Sequence, residues 1–388
     1  MSMDIIKKHF GPCLTYETLD EPIQDFYTIA VDIASHSLSQ AMLYRKGKAH
    51  PYPCYVGFPL KPTFNAGTCD LAQGGSIIAI NAAVPYLLFS ACFIYSTRID
   101  ATVGLPIEVD GKLLVYDTKL ELIGKISALP PTSDGYFQLF NQLFSKAEYQ
   151  AANLTYAIFL YTITIRFIVM HEVMHIVLGH TAYMQKEMSL GIFLELSSER
   201  ESDTINHEFL HCLEFIADRN AVRGIARKMV QGDPNFSSQA ETDLLQGTAI
   251  GRPTYIIRGI MTAATLMFHM FASRDESLRK PICSHPNPYI RSQWLAMELG
   301  HELGEEYGFK ESILTPMAYT AATLSANFQC PGNWRSASEQ DADPDNGNRP
   351  HISDAAYSNI LRLAQHWSGH LYQNFAPKFV TESGIIIP

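Results

Sequence analysis

"HEVMHIVLGH", from His171 to His180, decides how the rest of the chain is read. It sets His-Glu-x-x-His inside an apolar run, with "IRFIVM" before it and "IVLG" within its second half. On an α-helix, residues four apart share a face, so His171 and His175 can offer two imidazoles to one metal ion. Glu172 stands beside that face, where a carboxylate can take a proton from a water activated by the metal. Apolar flanks keep such a site partly dry, which strengthens every charge interaction in it.

The motif alone does not decide the matter, because 14 histidines allow a chance match and a histidine pair can simply pack in a core. The third ligand must decide. In the metzincin pattern the third His falls on Thr181, and the preceding Gly on Leu178, one short of Gly179. His180 is therefore expected to stand behind the ligands or merely at a helix end. "EFIAD", Glu214 to Asp218, answers better. Its two carboxylates are four apart on one face of a second helix, inside the apolar "LEFIADRNAV". Glu214 can complete a two-His, one-Glu site with an open position. Asp218 can accept the free N–H of a ligand histidine and fix its tautomer.

A second His-Glu-x-x-His, "HEFLH" at His207 to His211, lies just before Glu214. Its histidines share a helix with Glu214, and no Glu-x-x-x-Asp element follows at the customary distance. It is read as a decoy, with His211 near enough to line the site.

Together, "HEVMHIVLGH", "EFIAD" and "SHPNPYIR" resemble the gluzincin zinc metallopeptidases. They are similar to the HtpX heat-shock proteases and CAAX prenyl endopeptidases, and more closely to the soluble phage-exclusion peptidases of the Lit type. The likeness runs from Phe167 to Trp294 and includes a tyrosine, Tyr289, in the His-Pro segment. It implies Zn2+ held by His171, His175 and Glu214, a general base at Glu172, and support from Asp218. It also implies that His285, Tyr289 and Arg291 act catalytically, stabilising the tetrahedral oxyanion. The residues before and after this region match no pattern, so the substrate does not transfer.

Bulk composition agrees with a soluble globular protein. The 388 residues are 47% hydrophobic and 18% charged, enough for one large core or two ordinary ones. A net charge of −10 and the lack of a basic run argue against nucleic acid as a partner. The N-terminal "MSMDIIKKHFGPC" has no apolar signal region, and seven cysteines without a Cys-x-x-Cys pair do not look like a disulfide framework. A cytoplasmic location is expected. Leu71 to Thr97 carries no charge and is long enough to span a bilayer, but Gly74, Gly75, Asn81 and Pro85 divide it into "SIIAINAAV" and "YLLFSACFIYS". A buried strand and helix are expected there rather than a membrane span.

The expected fold is α+β and mainly helical: a zincin-type core with an active-site helix, a second ligand helix and a small β element upstream. Residues 1–130 form an N-terminal α+β region, with a helix over Ile23 to Leu43, Pro-rich coil at "HPYPCYVGFPLKP", and a hairpin near 105–117. In the hairpin, Asp110-Gly111 supplies the turn. Residues 131–388 form the helical metallopeptidase domain, which begins after "LPPTSDG" and has a mobile surface loop at about 329–352. Helical periodicity covers about Tyr136 to Thr181, Ile205 to Val230, Pro253 to Ser273, Pro288 to Leu303 and Ser353 to Gln373. Ile77 to Val84 is a candidate edge strand for an extended substrate. The expected function is zinc-dependent hydrolysis of peptide bonds in a cytosolic protein, in phage defence or stress response. The alternatives are a non-catalytic, zinc-stabilised binding module and a membrane-associated protease. Oligomeric state is not legible.

Overall fold

The computed structural model describes residues 2–19, 23–41, 44–45, 53–61, 65–72, 74–97, 154–188, 207–232, 252–272, 288–307 and 354–374, with two-residue strands and isolated positions between them. Helices α1 (Ser2–Phe10) and α2 (Ile23–Ala41) come first. They are followed by strands β1 (Tyr44–Arg45), β2 (Cys54–Gly57), β3 (Ala66–Asp70) and β4 (Ser76–Ile80), then helix α3 (Ala83–Ser96). Four short strands succeed it: β5 (Ile99–Asp100), β6 (Leu105–Pro106), β7 (Glu108–Val109) and β8 (Lys112–Leu113). The second part contains α4 (Leu154–Val177), α5 (His180–Glu187), β9 (Phe193–Leu194), α6 (His207–Gln231), α7 (Arg252–Ala272), α8 (Pro288–Tyr307), α9 (Asp354–Asn374) and β10 (Phe379–Val380). The described chain is mainly helical with a small sheet. The boundary segment "LPPTSDG" and the 329–352 loop lie outside the described residues.

The uncharged stretch divides at Asn81, and Pro85 falls inside the first turn of α3 rather than at the break, so Ala83 and Val84 belong to the helix. Ser76 to Ile80 form β4, and every residue of α3 is buried. Among the described residues, the one helix long and apolar enough to cross a membrane is α4, and 83% of its most apolar window is buried inside the protein. Apolar on all sides, α4 reads as the central helix of a core. It packs against α2, α3, α6 and α7. Its Phe159, Leu160, Ile163 and Ile165 are each 0–1% exposed, and full burial of such a side chain stabilises by about 1.5–3 kcal/mol. Its threonines satisfy their hydroxyls locally: Thr162 donates to the Ile158 carbonyl and Thr164 to that of Leu160, both at 2.7 Å. Gly259 lets α7 lie close against α4, since a Cβ there would stand 2.6 Å from Phe159 Cε1.

The main sheet has the order β2-β4-β3-β9. β2 is parallel to β4, with Cys54 opposite Ser76, while β3 is antiparallel to β4, with Asp70 opposite Ser76. Three expectations change here. The Pro-rich segment expected as coil contributes β2, because Cys54 to Gly57 pair with β4. The candidate edge strand is interior: β4 is paired on both sides, so its backbone groups are already used and it cannot take up a substrate strand. β9, which follows the active-motif helix in sequence, pairs with β3 at Gly67 and Thr68, so the sheet is not wholly upstream. Around Asp110 and Gly111, Val109 pairs with Lys112 and Glu108 with Leu113.

Buried charge joins the later helices. Arg219 donates to Glu298 at 2.8 Å, and Glu302 accepts from Arg223 and, at 2.6 Å, from Arg227. The arginines recur every four residues on α6 and the glutamates every four on α8, so a single face of each helix meets the other.

Candidate metal centre

The helices of the site are brought together by that packing. α4 carries His171, Glu172 and His175 in its last turns, α6 carries Glu214 and Asp218, and α8 carries Arg291 in its first turn. α4 packs on α6, and α6 on α8. All six side chains are buried: His171 2%, Glu172 1%, His175 0%, Glu214 0%, Asp218 1% and Arg291 3% exposed.

The donor atoms of His171, His175 and Glu214 converge within 4.8 Å of one another and form a group that can hold a metal ion. His171 Nε2 lies 2.9 Å from His175 Nε2. Glu214 Oε2 lies 3.4 Å from His171 Nε2, and its Oε1 lies 3.7 Å from His175 Nε2. Counted formally, Glu172, Glu214 and Asp218 bring three negative charges and Arg291 one positive, which leaves two. Burying such an excess is costly unless a cation offsets it, and a divalent ion does so in full.

Behind the donors, Asp218 is shared. Its Oδ1 is 2.8 Å from His171 Nδ1, within ion-pair range although the ring N–H is not aligned well enough for a strict hydrogen bond. Arg291 donates to both Asp218 oxygens, through Nε and Nη2 at 2.8 Å each. Arg291 Nη2 is also 3.4 Å from Glu214 Oε2, and its guanidinium lies 4.3 Å above the Phe268 ring. Burial pushes the Asp218 carboxyl up, but the Arg291 charge and the His171 and Arg291 contacts outweigh it and hold Asp218 below its ordinary value. Burial likewise pushes His171 down, while its contacts with Asp218 and Glu214 hold it well above the usual imidazole range. The pocket thus favours a positive charge between those carboxylates. A metal ion held by His171, His175 and Glu214 would supply that charge in place of the proton.

His180 stands behind the second histidine. Gly179, at φ +81°, ends α4 and begins α5, and Tyr183 N donates to its carbonyl at 3.0 Å. This left-handed turn folds His180 back, so that its Nδ1 lies 2.8 Å from His175 Nδ1. His180 is fully buried, and burial pushes its imidazole down to about 3 against the raising effect of Glu214. α5 is tied to the sheet by Thr181, which donates to Asp70 Oδ2 at 2.9 Å, while Ser76 donates to Asp70 Oδ1 at 2.7 Å.

The four-residue spacings that singled out His171, His175, Glu214 and Asp218 place them in one cluster. His211 is partly exposed and does not belong to the metal-capable group, and the side chain of His207 lies outside the described residues. His285 and the side chain of Tyr289 also lie outside them. Arg291 reaches the cluster, but its guanidinium is engaged with Asp218 and Glu214. Sequence spacing did not reveal that pairing, and for His180, expected behind the ligands or at a helix end, it did not single out His175 as the partner. The only local signal for the second was Gly179. No family model, curated protein or solved structure matches the chain.

Proposed function

We propose that the chain is a zinc-dependent endopeptidase of the gluzincin type, acting on a protein or peptide substrate. One observation carries the reading: His171, His175 and Glu214 converge from two helices, with Glu172 buried beside them. Two imidazoles and one carboxylate are a donor set used by zinc hydrolases. Zinc bonds of about 2.0–2.1 Å at tetrahedral angles separate neighbouring donors by about 3.3 Å, close to the spacings found here. The resemblance to HtpX, CAAX and Lit-type peptidases supports the same choice, and the last of these suggests a cytosolic target and a part in phage defence.

Zinc at this position supplies a Lewis acid that acidifies water and polarises a carbonyl. Glu172 then accepts the proton of the attacking water and returns it to the leaving amine. Glu214 contributes charge as well as a donor atom, and Asp218 fixes the orientation of His171. Arg291 acts as a positioning residue, since both prongs of its guanidinium hold Asp218. The oxyanion role is left to His285 and Tyr289, on the strength of the resemblance.

Complete burial of the donors favours a second reading, a non-catalytic core stabilised by metal. Structural zinc sites are closed by four protein ligands, whereas three converge among the described residues. A buried Glu172 is also a base that a structural site does not need. The test compares cells expressing the parent chain with cells expressing Glu172→Gln, mapping new protein N-termini in each. New cleavage sites dependent on Glu172, with about one zinc per chain in both proteins, are expected. Identical N-termini with zinc present would favour the structural reading, and a chain free of metal would end both.

A further inference from the structure

The two ligand histidines are backed differently. His171 rests on a carboxylate, Asp218, whereas His175 rests on another imidazole, at 2.8 Å between Nδ1 atoms. We infer that His180 is a positioning residue that accepts a hydrogen bond from His175 Nδ1–H, fixing the tautomer that leaves His175 Nε2 free to bind metal. This inference rests on the metal-centre reading above.

The geometry admits one proton between the two rings. Two protons at 2.8 Å would oppose each other, and none would set lone pair against lone pair. His175 Nε2 faces His171 Nε2 and Glu214, the metal side, so it must keep its lone pair there. The shared proton therefore belongs to His175 Nδ1, and the neutral His180 carries its own proton on Nε2. That Nε2 is buried and has no partner among the described residues. On a continuous α-helix, residues five apart point to different sides, so this contact exists only because Gly179 reverses the chain between them. An imidazole in this place orients the ligand without adding a further negative charge. A carboxylate there would deepen the excess already carried by Glu172, Glu214 and Asp218.

The experiment titrates Co2+ into the metal-free full chain and follows its visible absorption. The variants are His180→Asn, whose Oδ1 can stand where Nδ1 stood, and His180→Phe, which keeps bulk but no acceptor. Nitrogen-15 spectra of the histidine rings report tautomers in parallel. His180→Phe is expected to weaken Co2+ binding by about 10–100-fold with an altered ligand-field spectrum, and His180→Asn to restore most of it. The parent's His175 should show its proton on Nδ1. Equal Co2+ affinity and spectra in parent and His180→Phe would overturn the inference, as would a His175 proton on Nε2 in the loaded parent. A parent chain that takes up no Co2+ would instead remove the metal-centre reading, a separate result. If His180→Phe fails to fold, a His180→Asn variant with parental stability but an affinity about 10–100-fold below the parent's would likewise overturn it.

Discussion

Arg291 and Asp218 form a two-pronged ion pair at 2.8 Å per contact, with both side chains at most 4% exposed. The Arg291 guanidinium therefore offsets charge within the cluster. Arg291→Ala would take the guanidinium from Asp218 and the nearby Glu214 and leave His171 as their remaining basic neighbour, and breaking a buried pair in this way costs about 3–5 kcal/mol. Arg291→Lys should recover only part, because an ammonium cannot make the planar double contact. Urea midpoints of the metal-free proteins check this. Parental stability in the alanine variant would show that the pair is dispensable, as expected of an oxyanion donor whose loss affects turnover alone.

Glu214 and Asp218 sit one helical turn apart, and the proposed zinc centre gives them different work. Glu214→Ala removes a donor and should abolish tight zinc binding. Asp218→Ala leaves all three donors and should lower affinity by about 10–100-fold. Competition with a chromophoric chelator measures both. If the two variants retained zinc equally, the third ligand would have to lie elsewhere.

Gly179 sits at φ +81°, a conformation that costs a residue with a Cβ about 1–2 kcal/mol. Gly179→Ala should lower the melting temperature accordingly. It should also weaken Co2+ binding, because the same turn carries His180 to His175. Calorimetry and metal titration on one sample read the two effects, and an unshifted melting temperature would mean that the turn is not strained by alanine.

Glu302 accepts from both Arg223 and Arg227 while only 2% of its side chain is exposed. Its partners are less buried, at 29% and 46%, and can turn to water when it is lost. Glu302→Gln should therefore cost about 1.5–3 kcal/mol, the value of charge-assisted hydrogen bonds, rather than the larger penalty of a stranded ion. Denaturant unfolding tests it, and zinc content should not change.

Much of this was legible in local spacing. The four-residue repeat put His171 and His175 on one face and Glu214 and Asp218 on another, because helical geometry fixes which residues share a side. Asn81 and the glycines divided the uncharged stretch into strand and helix, since those residues disfavour a continuous helix. The apolar surroundings of both motifs marked them as interior. No local rule showed that "PYPCYVGF" contains a strand, because Cys54 to Gly57 become one only by pairing with β4, a distant segment.

Sequence by itself determined which side chains could act as a pair, and tertiary structure decided with whom each pair acts. Ile77 to Ile80 had the pattern of a strand, yet only the order of the sheet made it interior. Arg291 was visible as a cation near a His-Pro element, yet only the packing of α8 on α6 directed it to Asp218. His180 was visible as a histidine off the metzincin position, yet only the reversal at Gly179 set it against His175. The reason is physical: periodicity fixes direction around one helix axis. Partners far apart in sequence are selected by which apolar faces bury together, and by how the charges carried inward with those faces are compensated.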